Sequence, residues 1–303
     1  MRVLVLGGCG FIGSHVVDHA LAAGHAVRVL SRSPDRARPP IAGVDYRLAG
    51  LDDRAALTDA LQGCDAVLHV LSTSHPASAE REPVADVEGN LIGTLRLLQA
   101  MRDTGVRRLV YVSSGGAIYG PPEVVPIPES HPLRPIGSYG IVKAAIESYI
   151  ATAARQGLVA TVLRPANAFG PRQTGSSNPG FITTALMRLA QGTPMDLYGD
   201  GSVVRDFLAV SDLAALCLHG LEHGAGLTLN AGSGDGRSLA EVLASIERVT
   251  GKPFRLNRLP ARAIDVPVSV LDTSLARDRL GWQPRQGFED ALAETWDWVR
   301  RQA

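Results

Sequence analysis

The chain has 303 residues, 45% of them hydrophobic and 20% charged, which suits one large domain or two that share a core. Thirty basic residues balance thirty acidic ones, so no overall field draws the chain to nucleic acid or to an anionic membrane. Cys9, Cys64 and Cys217 are an odd, widely spaced set without a CxxC, which argues against a disulfide framework and a zinc site and fits a reduced cytoplasm. No uncharged run reaches the roughly 18 residues a membrane-spanning helix needs. Val3 to Leu6 ahead of Cys9 imitates a lipoprotein signal, but that apolar core is too short and lacks a basic region before it.

Val3-Leu4-Val5-Leu6 is wholly apolar, as expected of a strand buried on both faces of a parallel sheet. Glycines follow at 7, 8, 10 and 13. Ser14 to Ala23 then reads as a helix closed by Gly24, and Ala26 to Leu30 as the next strand. A βαβ unit with a Gly-rich first turn predicts a dinucleotide site, because glycine lets a pyrophosphate approach the backbone at a helix N-terminus. The plainer alternative is a tight turn that packs helix on strand and holds no ligand. The second strand ends in Ser31-Arg32-Ser33, where an acidic side chain would hold the ribose 2′-hydroxyl of NAD. An Arg flanked by hydroxyls suits the 2′-phosphate of NADP, so the cofactor expected is NAD or NADP. Against this, Arg32 could stack on adenine or lie in solvent.

Strand-like runs recur at Ala66 to Val70, Leu109 to Val112 and Ala160 to Leu163, separated by helical stretches near 53–61, 86–104 and 139–155. This alternation predicts an α/β fold: a doubly wound parallel Rossmann sheet with a smaller C-terminal α/β substrate lobe. The division falls at residues 1–165 and 166–303, with a segment near 203–212 returning to the main sheet. His15/His19 and His219/His223 have the i, i+4 spacing of a helical metal site, but neither pair has a Glu suitably placed, and no metal is expected.

Tyr139 and Lys143 are four apart in a helical segment and so share one face. A tyrosine with a pKa near 10 is a poor base at neutral pH. A nearby ammonium, helped by an oxidised nicotinamide, lowers that value, and the pair then suits general acid–base work on an alcohol or ketone. The plain alternative is an aromatic ring and a Lys stem packed on a helix face.

Three ordered blocks carry a resemblance: 7–15 (GGCGFIGSH), 113–120 (SSGGAIYG) and 139–143 (YGIVK). With them go Asn90 before Gly93-Thr94, the run 164–172 (RPANAFGPR), 198–201 (YGDG), Arg205-Asp206-Phe207 and Arg262 to Asp265. Together they resemble the extended short-chain dehydrogenases/reductases, in the branch of nucleotide-sugar epimerases and dehydratases, from Met1 to about Trp298. The resemblance implies that Gly7, Gly10, Phe11, Ile12, Gly13, Ser31, Arg32, Ser33, Asp52, Leu71 and Asn90 line the cofactor site, together with Tyr139 and Lys143. It implies that Tyr139 exchanges the proton of a sugar 4-hydroxyl while Lys143 holds the nicotinamide ribose. Asn167, Arg205 and Arg262 match positions that grip a sugar-nucleotide diphosphate; the alternative is surface pairing of Arg205 with Asp206 and of Arg262 with Asp265. Ser269 stands where hexose-restricted relatives keep a bulky Tyr. The helices near 86–104 and 139–155 match the pair that forms a four-helix homodimer interface in relatives.

The departures narrow the expectation. The family's Ser or Thr four residues before the Tyr of its Tyr-Gly pair is Gly115 here, leaving Ser114 or Ser113 as candidate catalytic hydroxyls. Gly116 and Ala117 lack the acids that dehydration and decarboxylation require. Leu71 replaces a small residue beside the nicotinamide. The activity expected is that of a nucleotide-sugar 4-epimerase on a UDP-hexose or its N-acetylamino form, cytoplasmic, with no nucleic-acid or membrane partner. Ser31-Arg32 favours a rival, an NADPH-dependent reductase of a nucleotide-linked 4-keto sugar. A non-catalytic sensor of the NADP/NADPH ratio is the third reading.

Overall fold

A computed structural model describes residues 1–35, 37–174, 180–261 and 266–302. The chain begins with β1 (Arg2–Leu6), α1 (Phe11–Ala22), β2 (Ala26–Ser31), β3 (Asp45–Leu48), α2 (Arg54–Leu61) and β4 (Ala66–His69). Short helices α3 (Pro76–Arg81) and α4 (Pro83–Asp86) lead through a π-helical turn (Val87–Ile92) into α5 (Gly93–Thr104). Then come β5 (Arg108–Val112), α6 (Gly115–Ile118), α7 (Ser138–Ala154), β6 (Val159–Pro165) and β7 (Asn167–Phe169). The rest runs α8 (Phe181–Ala190), β8 (Met195–Tyr198), β9 (Val204–Ala209), α9 (Val210–His223), β10 (Thr228–Ala231), β11 (Gly236–Ser238) and α10 (Leu239–Thr250). It closes with β12 (Leu256–Leu259), β13 (Val268–Ser269), α11 (Ser274–Leu280) and α12 (Phe288–Gln302).

The seven-stranded sheet has the order β3-β2-β1-β4-β5-β6-β10, parallel throughout. Its central strands read as unbroken apolar runs because both faces are covered. Along β1, Val3 and Val5 enter the core beneath α1 and α9, whereas Leu4 and Leu6 enter the core beneath α2, α5 and α7. The alternation of side chains along a strand thus divides one apolar segment between two cores. A third core, built from α8, α10, α12 and their strands, belongs to the smaller lobe.

The expected return near 203–212 is corrected by the topology. β9 pairs with β7, β11 and β13 in a separate sheet, and the strand that rejoins the main sheet is β10, in register with β6 from Thr228↔Val162 to Ala231↔Pro165. The apolar end of β9, Phe207 to Ala209, resembles a central strand because it is buried, but it is buried against the small lobe's core and α9. β10 has only four residues and gives little periodic signal. Helix α1 begins at Phe11, three residues ahead of the expected Ser14, so its first turn overlaps the Gly-rich turn.

A buried network fastens α7 to β6. Arg164 on β6 donates from Nη2 to Glu147 Oε2 of α7 at 2.6 Å and from Nε to both carboxylate oxygens at 3.2 Å. Its Nη1 donates to the Tyr119 hydroxyl at 2.9 Å, which donates to Asn230 Oδ1 at 2.7 Å. Arg164→Met would leave the Glu147 carboxylate buried and unpaired, and should lower unfolding free energy by about 3–5 kcal/mol. Urea titration checks this, and Arg164→Met combined with Glu147→Leu should recover much of the loss.

Candidate active site

The first turn is built for close approach. Gly7 has φ +81°, and a Cβ there would sit 2.9 Å from Leu71 Cα. A Cβ on Gly13 would collide with the Gly7 carbonyl, which accepts from Gly10 N–H at 2.9 Å. The N-cap Gly10 offers no side-chain cap, so the first N–H groups of α1 point at a bare backbone cradle. This is the shape and polarity a pyrophosphate needs, so the residues present fit a dinucleotide.

Two cavities open from this cradle. The larger, about 670 Å³, runs over Gly10, Arg32, Ser33, the 72–75 loop and Arg172. The smaller, about 430 Å³, is walled by Val112, Ser113, Ser114, Lys143, Asn167, Phe181 and Arg205. Phe11, Ile12, Ser72, Tyr139 and Gln173 line both, so the Tyr139 phenol stands where the cavities meet.

Lys143 lies buried one helical turn after Tyr139, and its Nζ donates to the Val112 carbonyl at 3.0 Å. The ammonium lies over two rings, 4.9 Å from the centroid of Tyr111 and 5.7 Å from that of Tyr139. Burial pulls Lys143 down to about 8, against the raising pull of Asp86 and Glu147. The expected depression requires an oxidised nicotinamide as well as Lys143; in the protein alone, burial pushes the Tyr139 phenol up to about 12, with Ser72 acting downward.

The remaining expected residues divide. Phe11, Ile12, Arg32, Ser33, Ser113, Ser114, Asn167 and Arg205 line the cavities. Ser113 is buried, and its Oγ has no hydrogen-bond partner. Asn167 Nδ2 donates to the Asp206 carbonyl at 2.9 Å, and Arg205 Nη1 donates to the carbonyls of Val204 and Val266. The Asp206 carboxylate instead accepts from Ser233 and from the Gly234 and Leu271 backbone.

Seven expected positions are not on the wall of either cavity: Gly7 and Gly13 of the turn, and Ser31, Asp52, Leu71, Asn90 and Ser269. Ser31 is buried and accepts from Cys9 N–H at 3.2 Å, so it braces the turn. Leu71 packs on Gly7, and Asp52 folds over Gly50. Asn90 is buried in the π-helical turn, where its Oδ1 accepts from Thr73 N–H at 2.8 Å and its Nδ2 donates to Ser74 Oγ and Asp86 Oδ1. Ser269 lies on β13 in register with Arg205. Arg262 falls outside the described residues.

Sequence reasoning misses Ser72 and Gln173, which no motif marks, and Phe181, hidden in an ordinary helix start. Among the described residues there is no cluster of three metal-ligating side chains and no helix long and apolar enough to cross a membrane. His15 Nε2 meets the Pro171 carbonyl at 3.0 Å and His219 Nε2 that of Leu280 at 2.7 Å.

A parallel sheet with a Gly-rich first turn and a Tyr/Lys pair at its carboxyl edge defines an extended short-chain dehydrogenase/reductase. Residues 3–232 match the profile of the NAD dependent epimerase/dehydratase family, and the chain belongs to that family. It is 34% identical over 315 residues to the UDP-glucose 4-epimerase of Streptomyces lividans, covering 98% of this chain and 95% of the relative. Among solved structures, UDP-glucose 4-epimerase of Thermotoga maritima with UDP-glucose has a TM-score of 0.95 at 34% identity, covering 100% of this chain and 99% of the other. The UDP-glucose 4-epimerase of Thermus thermophilus, in complex with NAD, gives 0.92 at 36% identity, with 99% of each chain covered.

This geometry has two measurable consequences. A side chain at position 115 would meet Leu271 Cδ1 at 2.6 Å and the Arg164 carbonyl at 2.9 Å. Gly115→Ser should therefore lose about 1–3 kcal/mol of stability, read from urea unfolding, and gain no activity. His69, buried with Nε2 3.0 Å from Thr94 Oγ1, is held down to about 3 by burial and by Lys143. Its neutral form contributes stability fully above the unfolded value of about 6.5 and loses it as the pH falls toward the folded value. Urea midpoints should drop between neutral and mildly acid pH, and His69→Phe should flatten that slope.

Proposed function

We propose that the protein is a nucleotide-sugar 4-epimerase acting on a UDP-hexose or its N-acetylamino form, with NAD as the bound dinucleotide. The observation that carries this reading is the Tyr139 phenol at the junction of the two cavities, with the Lys143 ammonium beneath it. A bound nicotinamide dinucleotide supplies a hydride acceptor and donor at the sugar's C4.

The chain's own residues do the rest. Tyr139 holds the proton at the 4-oxygen, taking it from the alcohol and returning it to the ketone. The Lys143 ammonium orients the ring and biases the phenol toward its anion, against the burial that raises it. Asn167 and Arg205 present donors on the wall of the smaller cavity, where a diphosphate can be gripped while the sugar turns. Its volume of about 430 Å³ leaves a hexose room to present either face. The apolar wall of Phe181 and Phe207 keeps water from the reacting carbon.

Arg32 and Ser33, exposed at the end of β2 in the larger cavity, favour a second reading: NADPH-dependent reduction of a nucleotide-linked 4-keto sugar. Denaturing freshly purified protein separates the two. Near-stoichiometric released dinucleotide supports the epimerase, whereas an empty protein that binds NADPH more tightly than NADH supports the reductase. Tyr139→Phe should lower kcat for interconversion of UDP-glucose and UDP-galactose at least ~100-fold while leaving bound dinucleotide unchanged.

Homodimerisation belongs to the same proposal. Val84 on α4 and Ile141 and Tyr149 on α7 are 69%, 55% and 47% exposed on neighbouring helices, an apolar face suited to a second copy. Ile141→Asp with Tyr149→Asp should halve the mass seen by light scattering.

A further inference from the structure

We propose that Asp18 retains the dinucleotide by clasping two walls of the larger cavity to α1. The place of that retention in turnover rests on the epimerase reading above; the clasp itself does not.

The first observation is convergence. One wall of the larger cavity is formed after β2 by residues 32–35 and Ala37, and another after β7 by Arg172 and Gln173. These segments are far apart in the chain, yet each sends an arginine to the same carboxylate. Arg38 Nη1 donates to Asp18 Oδ1, and Arg172 Nη1 donates to Asp18 Oδ2 at 2.8 Å. Asp18 and Arg38 line neither cavity, so both act on the walls and not on a ligand.

The second observation is anchorage. Arg38 Nη2 also donates to the Ser14 carbonyl of α1 at 2.9 Å, and its Nε donates to Asp35 Oδ2 at 3.1 Å. Asp35 Oδ1 accepts from Ala37 N–H at 2.8 Å, and Ala37 packs against the core of the smaller lobe. On the other wall, His15 Nε2 of α1 meets the Pro171 carbonyl at 3.0 Å. Among the described residues Arg172 is the one non-glycine residue in the left-handed region, at φ +68°. Such a backbone persists where surrounding contacts over-determine it.

The third observation is charge. Both guanidiniums are largely buried. Burial raises the Asp18 carboxyl, and Arg38 and Arg172 pull it below the usual carboxylate range, so all three groups are charged at neutral pH. Partly buried, charge-assisted hydrogen bonds of this kind hold better than exposed pairs. The two walls cannot part without breaking one of them, so the clasp acts on release more than on entry. Asp18 is a positioning residue: it fixes the walls and touches nothing between them.

The test uses the full chain loaded with NADH and chased with excess NAD, with release followed by NADH fluorescence. Asp18→Asn should quicken release about tenfold, and Arg38→Met should do the same. Adding Asp18→Asn to the pair Arg38→Met and Arg172→Met should quicken it no further. Asp45 is the control, because it too bridges two arginines, Arg28 at 2.7 Å and Arg47 at 2.8 Å, with the same 40% side-chain exposure as Asp18. Neither Asp45 nor its arginines line a wall of either cavity, and Asp45→Asn should release NADH at the wild-type rate. Release unmoved in Asp18→Asn overturns the proposal, as does release that quickens as much in Asp45→Asn. Should Asp18→Asn fail to fold, Arg38→Met decides in the same way. The chase needs no turnover. A chain that releases NADH as expected and is inactive on every UDP-sugar defeats the epimerase reading and leaves the clasp standing.

Discussion

A buried ammonium organises this molecule. Removing Lys143 from water costs several kcal/mol, and one carbonyl 3.0 Å away does not offset that. The compensation is distributed. Two aromatic faces lie against the ammonium, and the buried carboxylates of Asp86 and Glu147 both act on it. Glu147 is in turn held by Arg164, so two buried cations face two buried anions and the interior charge closes near zero. Remove any one member and the remainder is uncompensated. The requirement fixes the distances between α7, β6 and the π-helical turn before any ligand enters.

The same arrangement explains why the phenol needs help. An interior dry enough to sharpen proton transfer also opposes the charged form of the tyrosine that performs it. The loop that borders the phenol is itself pinned, with an asparagine and an aspartate behind it and a helix behind both. Reactivity at one oxygen is therefore a property of several elements of the sheet's carboxyl edge.

The parts legible in the sequence are those in which one local rule dominates. Val3 to Leu6 could only be a doubly covered strand, and glycines at 7, 10 and 13 mark a turn that tolerates no Cβ. The spacing of Tyr139 and Lys143 puts them on one helical face. Local rules fail where tertiary packing decides. β9 is as apolar as a central strand but serves the smaller lobe, while four-residue β10 completes the main sheet. Ser31 and Asn90 match ligand-contact positions by motif, and only the fold shows that they also brace the turn and the loop. Ser72 carries no signal because a lone serine between strand and helix is ordinary until the fold sets it where two cavities meet.

The π-helical turn at Val87–Ile92 has a topographic effect of its own. An α-helix advances by about 100° per residue, so the extra residue of a wide turn rotates everything after it against everything before. Upstream of the turn Asp86 addresses the loop, and downstream Leu97 and Met101 face the core of the sheet. A straight helix could satisfy one of these azimuths only. Deleting a single residue here would give a more regular helix and a misaligned one, with either the loop or the core losing its partner.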